Sequence, residues 1–274
     1  MTYFLNFRSQ NVGGPVVGPY LLQGDGSAPS PQVSVVPPAR LPSIFAGKNV
    51  LFVTHGFNVS YQDGANALEL LGRYLNLASS YLFVGMLWPG DAWIPVVDYP
   101  FEGNVAIDCG NRLARFCNNV CAGAQSLSFA SHSLGARFVL QAITGLNRRV
   151  KLLCMMAGAV NQDCLGAEYA AAASQCDRIA ALASHCDDVL KLAFTIGDPF
   201  ADLLHDDHTP FRAALGYDGP SLPTSVIAPW QIPDGDDYGH GSYLPPGPGD
   251  NRWQYAANFI LANFYGDPVT WPTE

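Results

Sequence analysis

Residues 3–7 (YFLNF) and 17–22 (VGPYLL) carry short apolar runs around a Gly-Gly-Pro turn and predict two strands. Residues 24–43 are rich in Gly, Ser and Pro, with one β-like run at 33–36. The stretch 1–43 therefore reads as an N-terminal β extension lying on a larger sheet, a flexible linker being the alternative. From Lys48 the pattern changes. Residues 49–54 (NVLFVT) form a continuous apolar strand ending at His55-Gly56, and residues 60–77 carry apolar positions at helical intervals. Residues 81–87 predict the next strand, followed by Trp88-Pro89-Gly90, then a helix over 107–121. A strand over 126–130 runs into Ser131-His132-Ser133, with a helix over 136–146 behind it. Residues 150–157 and 189–196 predict two further strands separated by an alanine-rich helical segment, and 251–264 a closing helix.

Strands that are apolar throughout and alternate with helices belong to a mostly parallel sheet with helices on both faces. The class is α/β. The 274 residues, half of them apolar or aromatic, suit one domain over 1–274. In such sheets ligands bind beyond the carboxyl ends of the strands. Chemistry is therefore expected at His55-Gly56-Phe57, Ser133, Gly158, Asp198 and, near the C-terminus, His240.

Charge narrows the partner. The net charge is −9, with only three lysines (Lys48, Lys151, Lys191), so the basic footprint of nucleic-acid or membrane-surface binding is missing. A neutral or apolar small molecule is the expected partner. Residues 1–11 lack the apolar core of a signal peptide, and no stretch approaches the 18 or so apolar residues of a membrane span. A cytoplasmic location is the expectation. The seven cysteines are odd in number and without C-x-x-C pairs, against both a disulfide framework and a zinc site. Cys117 and Cys121, one helical turn apart, read as core packing. His205-Asp206-Asp207-His208 reads as a solvated turn, and Asp234-Gly235-Asp236-Asp237 lacks the full calcium-loop pattern. No metal or cofactor is expected.

The segment 128–135 reads S-F-A-S-H-S-L-G, a strand, a tight turn and a helix. Such a turn lifts a serine Oγ above the sheet, provided the residues two before and two after it are small. Here they are Ser131 and Gly135, so Ser133 is the candidate nucleophile. The helix N-terminus behind it favours developing negative charge. Acyl transfer also needs two backbone N–H donors for the oxyanion. Leu134, after the nucleophile, and Phe57, in the loop after the earlier strand, are the candidates.

A serine hydroxyl needs a base, and the base needs a group that orients it. In the α/β-hydrolase fold the chain order is Ser, then Asp or Glu, then His. His240, between Gly239 and Gly241, suits an exposed loop and is preferred over His185, His205 and His208. Asp198, beyond the run 190–196, is the candidate acid, with Asp163 and Asp202 as rivals.

Taken together the motifs resemble the bacterial α/β-hydrolases of the HGFN type, long catalogued as a domain of unknown function. The matching pieces are Val53-Thr54-His55-Gly56-Phe57-Asn58, Leu87-Trp88-Pro89-Gly90 and Ala130-Ser131-His132-Ser133-Leu134-Gly135-Ala136-Arg137-Phe138. Ala157-Gly158-Ala159-Val160, Gly197-Asp198-Pro199-Phe200, Ala214-Leu215-Gly216 and His240 before Tyr243 complete the match over about residues 48–245. Gly158-Ala159 stand where the family usually shows Pro-Asp. The resemblance implies an esterase-like serine hydrolase with Ser133, Asp198 and His240 in the triad roles.

Phe57, Trp88, Trp93, Ile94, Phe101 and Trp230 crowd the stretches expected to rim the site, and His55, Gly56, Trp88 and Trp93 are the candidate substrate pocket. An apolar wall of this kind is the usual composition of a small-molecule site. The segment 163–188 is too modest for a separate cap, so esters of short or medium acyl chains are the expected substrates. Amide or thioester cleavage at the same site, or a non-catalytic binding module on this scaffold, are the alternatives.

Overall fold

The computed structural model describes residues 2–9, 14–27, 30–91, 99–195, 213–221, 231–246, 251–267 and 271. The strands are β1 Tyr3–Asn6, β2 Tyr20–Gly24, β3 Val33–Val35, β4 Asn49–Thr54, β5 Tyr81–Leu87, β6 Ser126–His132, β7 Leu152–Met156 and β8 Ile179–Leu182. Among the described residues they form one eight-stranded sheet in the order β3-β2-β1-β5-β4-β6-β7-β8. From β1 to β8 every pair is parallel, and β2 and β3 add antiparallel strands at one edge. The N-terminal extension is thus an integral part of the sheet, because β1 pairs directly with β5.

The apolar runs explain the layering. Val50, Leu51, Phe52 and Val53 of β4 are all fully buried, as a strand covered on both faces requires. The helices are α1 Leu41–Phe45, α2 Tyr61–Leu75, α3 Tyr99–Val120, α4 Gly135–Thr144, α5 Ala170–Gln175, α6 Asp188–Thr195, α7 Leu215–Asp218 and α8 Arg252–Tyr265. Helix α2 begins where the Ser60 hydroxyl accepts from the Asp63 N–H, and it buries Ala65, Leu68, Leu71 and Leu75. Leu68 packs so closely on Gly85 that a Cβ there would lie 3.0 Å from it and 3.1 Å from the Phe4 ring. On the other pleat, Phe138 of α4 meets Phe7 edge to face at 5.2 Å.

Two expectations fail on the same stretch. Residues 188–195 are helix α6, where 189–196 was expected to be a strand. The strand is instead β8, a four-residue run (IAAL) inside the segment expected to be helical. A short apolar run fits either structure by periodicity. Parallel pairing with β7 decides for β8, because it satisfies backbone groups that burial would otherwise strand.

Register brings the chemistry to one edge. Thr54 pairs with Met86 and with Ser131, His132 with Met156, and Met156 with Leu182. The loops that follow β4, β5, β6, β7 and β8 therefore leave the sheet side by side.

Candidate active site

The β6–α4 turn places Ser133 at φ 53, a left-handed conformation that costs a non-glycine residue on the order of 1–3 kcal/mol. Three backbone bonds hold it there. The Ser133 N–H donates to Met156 O at 3.0 Å, and its carbonyl accepts from Ala136 N at 3.0 Å and Ala159 N at 3.1 Å. The turn is tight on both sides: a Cβ on Gly135 would lie 2.7 Å from His55 O, and one on Gly56 2.7 Å from Ser133 Cβ. Both positions require glycine for this approach.

Ser133 Oγ lies 2.9 Å from His240 Nε2, and His240 Nδ1 lies 2.8 Å from Asp187 Oδ2. The three side chains come from loops that follow β6 and β8 and from a turn far along the chain. Strand spacing sets β6 and β8 about 10 Å apart, a gap that an imidazole between them can bridge. The His240 turn is anchored in turn. Gln231 forms a parallel bridge with Ala183, and the Ile232 N–H donates to Ala183 O at 2.8 Å. Tyr238 and Tyr243 on either side of His240 are buried, and the Tyr238 hydroxyl donates to Arg252 O.

Asp187 was not among the expected acids. Its side chain is fully buried, and its second oxygen, Oδ1, accepts from the Leu190 N–H at 3.0 Å. It caps α6 while facing His240. The cap was legible: an aspartate just before helically spaced Leu190 is an N-terminal signal. Reading 189–196 as a strand concealed it. Asp198 and Asp202 lie outside the described residues. Asp163 sits in the turn after β7, and His240 Nδ1 is taken by Asp187. His185 is half exposed, 3.5 Å from Asp218 and 3.6 Å from Asp234.

Leu134 precedes α4 with helical dihedrals, and among the described residues its N–H donates to no acceptor. Such an N–H at a helix start is available to an anion. Phe57 packs half-buried against the core, followed by Asn58 at φ 56, whose N–H donates to Gly90 O at 2.5 Å. His55 and Trp88, expected on the pocket wall, are buried instead. Their rings stack at 5.9 Å, and Trp88 Nε1 donates to His55 O at 2.9 Å. They form a floor under the 55–58 loop. Trp93, Ile94 and Trp230 lie outside the described residues, as do the Phe101 side chain, His205 and His208. A cavity of about 410 Å³ lined by Asn6, Arg8, Tyr20, Leu22, Tyr61 and Asp91 opens at the β1–β2 side.

Two histidines near the site are held neutral. Burial, with Arg8 nearby, pushes His55 down to about 3, and its Nδ1–H donates to Gly56 O at 2.9 Å. Burial, with His240 and His55 nearby, pushes His132 to about 3 as well. The unfolded chain protonates such groups near 6.5. Their contribution to stability is therefore complete above about pH 6.5 and is lost as the pH falls from there toward 3. Urea unfolding between pH 7 and 4 should show falling stability, with a shallower slope in His55→Asn, which keeps a donor for Gly56 O. Equal slopes would remove His55 from the acid sensitivity.

Among the described residues no helix is long and apolar enough to cross a membrane. Residues 43–244 match a family described as an alpha/beta hydrolase of unknown function. No curated protein matches the chain. Among solved structures, TT1662 from Thermus thermophilus is similar at 17% identity and TM-score 0.47, over 90% of this chain and 97% of that one. Carboxyl esterase 2 from the mycorrhizal fungus Tuber melanosporum is similar at 13% identity and TM-score 0.42, over 91% of this chain and 87% of that one.

Proposed function

The chain belongs to this family of alpha/beta hydrolases of unknown function, and from that premise we propose that it is a serine hydrolase cleaving carboxylic esters through an acyl-enzyme. The observation that carries the reading is the continuous chain of contacts from Ser133 Oγ through His240 to Asp187, at 2.9 and 2.8 Å.

In the proposed reaction His240 Nε2 takes the proton from Ser133 Oγ as the oxygen attacks the ester carbonyl. Asp187 holds the Nδ1–H tautomer and balances the imidazolium that forms. The oxyanion lies against the N–H groups of Leu134 and Phe57, where preorganised donors act most strongly. His240 then returns the proton to the leaving alcohol. A water activated by the same histidine releases the acid and frees Ser133. The chemistry runs on side chains and backbone alone.

No separate cap domain is expected over 163–188, so soluble esters of short or medium acyl chains are the proposed substrates. The test is direct. A fluorophosphonate probe should label the purified protein at Ser133, and p-nitrophenyl acetate to butyrate should be cleaved faster than the palmitate. An unlabelled, inert protein would favour the non-catalytic scaffold, and preference for emulsified long-chain esters would overturn the substrate class.

A further inference from the structure

His132 stands at the end of β6, peptide-bonded to Ser133. Its ring lies 4.9 Å from the His240 ring and 5.9 Å from that of Tyr243. His132 Nε2 is 2.8 Å from the backbone carbonyl oxygen of His240. A carbonyl only accepts, so Nε2 must carry the hydrogen. The low proton affinity of the ring leaves it neutral, with Nδ1 bare. The Nδ1 edge faces the loop after β4, where a Cβ on Gly56 would lie 3.0 Å from it. One imidazole thus adjoins the Ser133 turn, the His240 backbone and the 55–58 loop.

We propose that His132 is a positioning residue, whose Nε2–H fixes the His240 carbonyl, and with it the turn His240–Tyr243, in register with Ser133. The inference rests on reading Ser133 and His240 as nucleophile and base. The need for such a tie follows from the topology. Ser133 rides on the sheet, while His240 sits in a short turn 107 residues later, joined to β8 through Gln231 and Ile232. The buried tyrosines fix the flanks of that turn, and His132 fixes the residue that moves the proton. A misplacement of about 1 Å costs about 100-fold in rate. His132 does not exchange a proton itself; it acts through the backbone of His240.

The test compares two substitutions and one spectrum. His132→Leu removes the donor, whereas His132→Gln keeps an N–H within reach of the same carbonyl. His132→Leu should lower kcat for p-nitrophenyl butyrate about 100-fold with KM nearly unchanged, and His132→Gln should recover most of the loss. Equal losses in both variants, or a change confined to KM, would overturn the proposal. Nitrogen-15 spectra of the wild-type protein supply the arm that needs no turnover. The His132 ring should stay neutral in the Nε2–H form from pH 5 to 8. A ring that titrates in that window, or carries its proton on Nδ1, would overturn the tie. A protein inert to every ester and to the fluorophosphonate, yet showing this tautomer, would sink the hydrolase reading and leave the backbone tie standing.

Discussion

Ser133→Ala is expected to lower ester turnover on the order of a millionfold, the size of loss seen when a triad nucleophile is removed from a serine hydrolase. The fold should survive. The bonds that hold residue 133 in its left-handed conformation are all backbone bonds, to Met156, Ala136 and Ala159. Alanine tolerates that conformation about as well as serine, and it adds nothing to a turn already crowded by Gly56 and Gly135. Unchanged far-ultraviolet dichroism with turnover at background is the expected pair of results. A variant that keeps more than a small fraction of wild-type activity would move the nucleophile elsewhere.

Asp187→Asn is the second large effect, a fall in kcat of about 10⁴. The substitution is clean because asparagine caps a helix as well as aspartate does. Oδ1 can still accept from Leu190 N, so α6 stays in place while the charge facing His240 is lost. An amide N–H turned toward Nδ1 would also favour the tautomer that cannot take the Ser133 proton. Asp163→Asn, whose carboxylate is not the one on His240 Nδ1, should cost far less. Kinetics on the three variants Asp163→Asn, Asp187→Asn and Asp198→Asn settle the ranking. A larger loss at 198 than at 187 would return the acid to the position expected from the sequence.

The difference between those two aspartates shows what the sequence could and could not carry. Ser133 was legible as a candidate because its small-x-Ser-x-Gly turn lies between an apolar strand and a helix, and the structure shows the close approaches of Gly56 and Gly135 that such a turn needs. His240 was legible from chain order and its two glycines. The carboxylate that meets His240 Nδ1 was not, because its place hung on where a strand ended. The run 189–196 is rich in β-formers, while the true strand is four residues long and half alanine. Strand propensity reflects packing on a pleated, half-buried surface more than an intrinsic backbone preference. At β8 the pairing with β7 overrode it. His55 and Trp88, both buried, pose a different question. Aromatic residues at strand ends can line a pocket or support a loop, and only packing between the layers distinguishes the two.

The wide sequence spacing of the three side chains also bears on how the molecule comes into being. Ser133 and Asp187 must each find a histidine that is 107 and 53 residues further on. Contacts that distant form late, since the chain entropy of closing long loops must be overcome before they add stability. Strands β4 to β7 can pair and bury their apolar runs while the histidine is still far away. An incompletely folded chain would then hold a sheet and a serine, but no base to activate it. Hydrolytic competence would arrive last, as a report that the whole polypeptide has closed.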